Sequence, residues 1–329
     1  MTRRLASGVL VSVALVTAAP VHAYLKFGVQ VGTETVDVRW PDESVRYFLN
    51  ERDIAGVSAA DFRAAVGRAA ATWQAVPGVR LRFEDQGFTT AAPVGLDGRN
   101  TIGFLDRPDL DRVLGSTSLL LDADTGALVE ADIFFNTRFP WSVAQQGESG
   151  RVDLESVVLH ELGHFIGLGH SAIGETEPSP TGGRRVLGSG AVMFPIALSP
   201  GATADRVLQA DDMAGAQDLY GDGSLSSGSI VGRVTKSGRG VYGAHVLAVN
   251  LETGRMVAGF TLAGDGSFVI AGLDSGPHVL RVEPLDDADV ESFLSGAVDV
   301  DFRAAFASRF AVAPAGGSSA SIEIQVVPK

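Results

Sequence analysis

His160-Glu161-Leu162-Gly163-His164-Phe165-Ile166-Gly167-Leu168-Gly169-His170 is the stretch on which the reading of this chain turns. On a helix, residues four apart share a face, so His160 and His164 can bring both ring nitrogens to one ion at the ~2.0–2.1 Å that zinc requires. Glu161 projects in a different direction. It is placed to hold a water in an open fourth position rather than to ligate the metal, the division of labour of a hydrolytic zinc site. A third ligand must come from beyond the helix. Gly167 can take a positive φ, end the helix and turn the chain so that His170 approaches the same ion. Asp153 reads as the N-cap, and Leu154, Val157, Val158, Leu162, Phe165 and Ile166 supply the apolar face of a helix from about 154 to 167.

Two further stretches follow in order. Ala191-Val192-Met193-Phe194-Pro195 comes after His170, and Leu208-Gln-Ala-Asp211-Asp212-Met213-Ala-Gly215-Ala-Gln217-Asp-Leu219-Tyr220-Gly221 comes after that. With the extended histidine motif they resemble the metzincin metallopeptidases, and Ser171 directly after His170 resembles the matrixin branch. The resemblance implies an α+β fold, a twisted mixed sheet carrying an active-site helix. It also implies that Met193 lies in a Met-turn as the apolar floor beneath the metal ligands, and that residues 208–221 are the closing helix.

Met1 to Ala23 carries Arg3 and Arg4, an apolar run from Leu5 to Val16 and Val21-His22-Ala23, the pattern of a secretory signal peptide cleaved before Tyr24. The chain of 329 residues contains no cysteine, so its stability rests on its cores alone. An exported protein of bacterial type, secreted or periplasmic and without membrane insertion after cleavage, is expected. Net charge is −13, which argues against nucleic acid or anionic membrane as a partner. Val45-Arg-Tyr-Phe-Leu49 already reads as a strand, leaving no space for a folded pro-domain after Tyr24. The cysteine lock of latent matrixins has no counterpart here.

Ser58-Ala-Ala-Asp61 reads as a helix start with a capping-box arrangement, followed by Phe62, Val66, Ala69, Ala70, Trp73 and Val76 at helical spacing. Trp73 is expected in the core. Val79, Leu81 and Phe83 alternate with charged residues as a strand, and Thr101 to Leu105 is another. Residues 113–121 and 127–135 are two strands joined by Asp122-Ala-Asp124-Thr-Gly126. By order along the chain, the first corresponds to the matrixin edge strand above the metal, where an extended peptide would pair by its backbone; an ordinary hairpin is the other reading. The six histidines are His22, His160, His164, His170, His245 and His278, too few for a second, histidine-bound structural zinc. Asp122, Asp124 and Asp132 stand as calcium ligands by analogy with matrixin calcium sites, and as ordinary turn chemistry by local sequence. Residues 171–192, rich in Pro and Gly, read as a long flexible loop. Residues 196–207 are expected to wall the specificity pocket.

After Gly221 the composition changes. Asp222 to Gly228 is a polar linker, and Ser229 to Lys329 reads as short strands only, a small all-β sandwich. Gly232-Arg-Val, Gly243-Ala-His-Val, Asp265-Gly-Ser-Phe268 and Gly276-Pro-His-Val-Leu-Arg-Val resemble carboxypeptidase-regulatory-like domains, up to about residue 285. His245 and His278 are expected to be structural. The chain thus divides into a signal peptide (1–23), a matrixin-like domain (24–221), a linker (222–228) and a β-sandwich (229–329) whose ligand the sequence does not name.

The function expected is a zinc-dependent endopeptidase acting on protein or peptide substrates, with Zn2+ on His160, His164 and His170 and Glu161 as general base and acid. The alternative is a surface-binding or adhesive protein whose zinc domain is structural. A fully structural site would close its fourth position with another protein ligand.

Overall fold

In the computed structural model, which describes residues 26–32, 34–178, 184–285, 294 and 298–329, the histidine stretch folds as expected. Helix α2 spans Leu154–Phe165, and the Asp153 carboxylate accepts from Ser156 N at 3.0 Å as its N-cap. Leu154, Val158, Leu159, Leu162 and Phe165 are buried, each such side chain contributing about 1.5–3 kcal/mol on leaving water. The helix stops at Ile166 and the next residue, Gly167, has φ +102°. A Cβ there would lie 2.1 Å from Val38 O, so glycine is required for the turn and for the close approach. The expected signal peptide lies outside the described residues, and among those no helix is long and apolar enough to cross a membrane.

A hairpin, β1 (Gly28–Val31) with β2 (Glu34–Asp37), precedes the main sheet. That sheet comprises β3 (Ser44–Asn50), β4 (Arg82–Thr89), β5 (Thr101–Leu105), β6 (Gly115–Leu121) and β7 (Leu128–Asn136), in the order β4-β3-β5-β7-β6. Pairing is parallel throughout except between β6 and β7. Near-continuous burial along β7 fits an interior strand covered on both faces. β6 is half-buried and is both an arm of the β6–β7 hairpin and the edge of the sheet, so the two readings of residues 113–121 describe one strand. Helix α1 (Ala59–Gln74) packs beside α2 and buries Phe62, Ala65, Val66, Ala69, Ala70 and Trp73. The Trp73 indole N–H donates to Leu159 O at 2.9 Å, a core role. Ser58 caps α1 by accepting from Asp61 N, and the Asp61 carboxylate accepts from the Ser58 hydroxyl rather than from its backbone N–H, so the reciprocal capping box is not formed; Asp53 accepts from the next N–H, that of Ala59.

Two-residue strands β8 (Trp141–Ser142) and β9 (Val152–Asp153) pair just before α2. The stretch read as a flexible loop is corrected in part: β10 (Gly174–Pro178) and β11 (Arg184–Ser189) form an antiparallel ribbon. Glycine and proline suggested irregular chain, yet Glu177 pairs with Arg185 across the ribbon and Val186 packs on a buried cluster containing Phe260 and Leu285. Helix α3 (Ala210–Tyr220) closes this part of the molecule.

Asp222 to Ser227 are exposed, and among the described residues that follow the only regular elements are strands. β12 (Gly228–Lys236) pairs with β13 (Arg239–Gly240), with β16 (Ser267–Leu273) and, in parallel, with β20 (Ile322–Val326). A second sheet holds β14 (His245–Asn250), β15 (Met256–Phe260), β17 (Gly276–Glu283), β18 (Ala305–Phe306) and β19 (Ala311–Ala313), with β15 at its edge. The whole is α+β: a helix-bearing mixed sheet followed by an all-β part. The two share one apolar core, in which Ala214 and Leu219 of α3 belong to the same buried cluster as Ile230, Ile270 and Leu273. Gly272, at φ +72°, lets β16 approach α3 so closely that a Cβ would lie 2.5 Å from Ala214 Cβ.

Candidate metal centre

His160 and His164 project from one face of α2, and the turn at Gly167 returns the chain so that His170 meets them. His164 Nε2 lies 3.1 Å from His160 Nε2 and 3.1 Å from His170 Nε2. Carbonyls fix the tautomers. His160 Nδ1 is 2.7 Å from Val192 O and His164 Nδ1 is 2.8 Å from Leu168 O. A carbonyl can only accept, so each Nδ1 carries the proton and each Nε2 presents a lone pair to its neighbours. Burial, then the neighbouring His170, holds the His160 ring down at about 3. The same causes keep His164 well below its usual range. Neutral rings with facing lone pairs repel one another unless a cation stands between them.

Zinc fits this donor set. Tetrahedral Zn–N bonds of ~2.05 Å set neighbouring nitrogens about 3.3 Å apart, close to the separations here. Among the described residues the three histidines are the only group of three or more His, Cys, Asp or Glu side chains that could hold an ion. Among those residues no fourth protein donor of these types joins them.

The floor of the site is Met193, buried under α2 at Gly163, where a Cβ would lie 2.1 Å from Met193 Sδ. Asp212, in the first turn of α3, holds this segment: its carboxylate accepts from Val192 N (2.9 Å), Met193 N (3.0 Å) and Gln209 N (2.8 Å). Burial pushes Asp212 up to about 6 against the pull of these N–H groups. Asp212 thereby sets Val192 O, which orients His160. The segment after His170 is tied to the same floor by Ser171 N donating to Met193 O at 2.8 Å.

Glu161 is buried, 5% exposed, and leaves the histidine face. Its Oε2 accepts from the Thr117 hydroxyl on β6 at 2.7 Å. Burial lifts the carboxyl to about 7, and the Thr117 hydrogen bond pulls it back. Gly115, also on β6, leaves room for the group: a Cβ there would lie 3.1 Å from Glu161 Oε1. From the other side, Phe27 sets its ring centroid 5.7 Å from that of His164, and its backbone N–H donates to Gly167 O at 2.9 Å.

The aspartates proposed for calcium do not come together. Asp122 accepts from Asp124 N and Thr125 N in the β6–β7 turn, which is turn chemistry. Asp132 lies along β7, buried, accepting from Thr101 N at 2.8 Å. His245 and His278 are buried among the later strands, on Glu283 and on Asn250 with Gly276 O respectively.

Thr117, Asp212, Leu168 and Phe27 were not singled out from the sequence as parts of the site. Only Asp212 left a trace, as half of an acidic pair in a helix otherwise lined by small and apolar residues.

The matrixin family model matches residues 39–180. Metalloendoproteinase 4-MMP of Arabidopsis thaliana is 32% identical over 127 residues, covering 36% of this chain and 31% of its own length. Metalloendoproteinase 5-MMP of the same plant is 43% identical over 72 residues, 21% of this chain and 15% of its own. Metalloendoproteinase 1-MMP aligns further, 29% identical over 192 residues, 56% of this chain and 44% of its own. This chain spans less than half the length of each of these relatives.

Proposed function

From the premise that residues 39–180 form a matrixin-type domain, we propose that this protein is an exported zinc endopeptidase that hydrolyses peptide bonds in protein substrates. The observation that carries the reading is a buried carboxylate, Glu161, beside three converging histidine Nε2 atoms that, among the described residues, no fourth His, Cys, Asp or Glu ligand joins. A site built only for structure would close its coordination shell.

His160, His164 and His170 would hold the ion. Zinc, when bound, supplies Lewis acidity, which lowers the pKa of a water toward ~7 and polarises a carbonyl. Glu161 takes the proton from the attacking water at its carboxylate and passes it to the departing amine nitrogen, so one group serves as base and then acid. Thr117 aims that carboxylate and favours its ionised form. β6, the edge strand of the main sheet, offers backbone groups with which an extended substrate can pair next to Glu161.

Casein digestion by the zinc-loaded protein lacking residues 1–23, beside the Glu161→Ala variant, tests the proposal. Cleavage by the first and not the second, with zinc bound in both, is the expected result. Equal cleavage by the variant removes Glu161 from the mechanism, and zinc binding without cleavage by the unaltered protein counts against an endopeptidase.

A further inference from the structure

The stretch that carries His170 does not end in solvent. Ala172 and Ile173 follow Ser171, and Ala191 and Phe194 bracket Val192-Met193; all four are buried. Their apolar partners lie beyond residue 240. Ile173 and Ala191 are buried with Leu247 of β14 and Ala258 of β15, and Met256 packs against them. Ala172 and Phe194 are buried with Phe260, Leu262, Leu285 and Leu294. The fit is tight: a Cβ on Gly190 would lie 2.6 Å from Ile173 Cγ2 and 3.2 Å from Met256 Cε.

One polar tie runs through this apolar contact. Asp211, 2% exposed, accepts at Oδ1 from Ala258 N at 2.9 Å. β15 is the edge of its sheet, and the Ala258 N–H turns away from β14, where a buried donor without an acceptor would be costly. Ser171, itself buried and adjacent to His170, lines the same small cavity as Asp211, and its side chain favours the ionised Asp211 carboxylate. Asp212, the next residue, holds the Met193 segment. Two neighbouring carboxylates of α3 therefore serve two purposes: Asp212 fixes the floor, and Asp211 ties the His170 turn to the second sheet system.

We infer that the all-β part is a working component of the metal centre rather than a tethered accessory, with Asp211 the positioning residue that locks the His170 turn onto β15. The exposed polar stretch from Asp222 to Ser227 would serve a tethered module equally well, but the buried surface on both sides of it would not. A ligand whose turn is held by a separate sheet system keeps its lone pair aimed without the metal. Loss of that hold should appear first in metal affinity, where removal of groups that orient a ligand typically costs 10–100-fold.

This inference rests on the metal-binding reading of the three histidines, and the experiment separates the two. Zinc affinity is measured by chelator competition on the full chain, unaltered and as Asp211→Ala, Asp211→Asn, Ser171→Ala and Ala258→Pro. Visible spectra of the cobalt-substituted proteins report coordination geometry directly. Asp211→Ala and Ala258→Pro should bind zinc at least tenfold more weakly, with weaker, shifted cobalt bands. Asp211→Asn, which keeps an acceptor oxygen and the shape, should stay within about threefold. Ser171→Ala removes one hydroxyl and should fall between them, so it carries the test even where a larger change prevents folding. If the unaltered protein binds no zinc, the metal-site reading fails. If it binds zinc and folded Asp211→Ala, Ala258→Pro or Ser171→Ala matches it in affinity and cobalt spectrum, the positioning role is overturned.

Discussion

The hydroxyl of Thr117 lies 2.7 Å from Glu161 Oε2, joining the edge strand of the main sheet to the carboxylate of the metal-site helix. A hydrogen bond to a carboxylate favours its charged form and lowers its pKa. Replacing Thr117 with Val keeps the shape and removes the donor, so the Glu161 pKa rises and less of it is ionised in acid. The acid limb of the kcat/KM profile should move up by about one pH unit, with activity near pH 6 falling about tenfold. Above pH 8 the loss should be smaller. A profile that drops by the same factor at every pH would mean that Thr117 acts on something other than Glu161 ionisation.

Gly163→Ala separates helix propensity from packing by the sign of its effect. In an unobstructed helix interior, alanine in place of glycine adds about 1 kcal/mol. Here the new Cβ would fall 2.1 Å from Met193 Sδ and 3.1 Å from Trp73 Cζ2, in a buried layer. Overpacking of this kind typically costs 1–3 kcal/mol, which offsets or exceeds that gain, so a net loss of up to about 2 kcal/mol is expected in urea denaturation. A more stable variant would show that Met193 is free to move off the helix.

What the sequence made legible was whatever a local rule governs. The four-residue spacing of His160 and His164, the capping Asp153 and the need for glycine at 167 each depend on one helix and its ends. Met193 was legible only by resemblance to an ordered set of motifs, and it does lie beneath the helix. Thr117 was not, since its partner is 44 residues away across a sheet–helix contact that no periodicity encodes. Asp211 and Asp212 were missed for a related reason: they are buried by partners distant in sequence, Asp211 against Ala258 of β15 and Asp212 against the Val192–Met193 segment. The Gly- and Pro-rich stretch after His170 misled because composition reports what a segment tolerates, whereas packing of Val186 against later strands decided its form.

Phe27 predicts an effect at a distance in sequence. Its ring is 5.7 Å from His164 and its backbone is tied to Gly167 O, so the N-terminal segment steadies the turn between the second and third histidines. Lys26 anchors the segment, its side chain 4% exposed and paired with Asp37 at 2.7 Å and with Asp218. Phe27→Ala should lower stability by about 1–2 kcal/mol through lost apolar burial. It should also weaken zinc binding about three- to tenfold, as loss of an orienting contact does. Calorimetry of zinc binding decides this: an unchanged dissociation constant in the folded variant would make Phe27 a packing residue only.

Asp132 carries the pH prediction. It is 4% exposed, and burial pushes its carboxyl to about 7, with the Thr101 N–H pulling down and Glu130 and Asp97 pushing further up. Since the unfolded value is ~3.9, the folded protein binds more protons than the unfolded chain between about pH 4 and 7. The favourable contribution of this group is therefore full below about pH 4 and disappears as pH rises through 7, the opposite of a salt-bridged aspartate. Asparagine can still accept from Thr101 N through its carbonyl oxygen but cannot ionise. Asp132→Asn should accordingly be more stable than the parent by roughly 1–2 kcal/mol at pH 8, with the gap narrowing as pH falls and closing near pH 4, as read by denaturant midpoints at pH 8, 5 and 4. The same pair of proteins tests the calcium reading of this residue. A bound cation would stabilise the ionised carboxylate, so the substitution would then destabilise at pH 8. A calcium-dependent rise in Tm that vanishes in Asp132→Asn would place an ion there after all, whereas a calcium-independent gain in stability follows from a carboxylate buried without one.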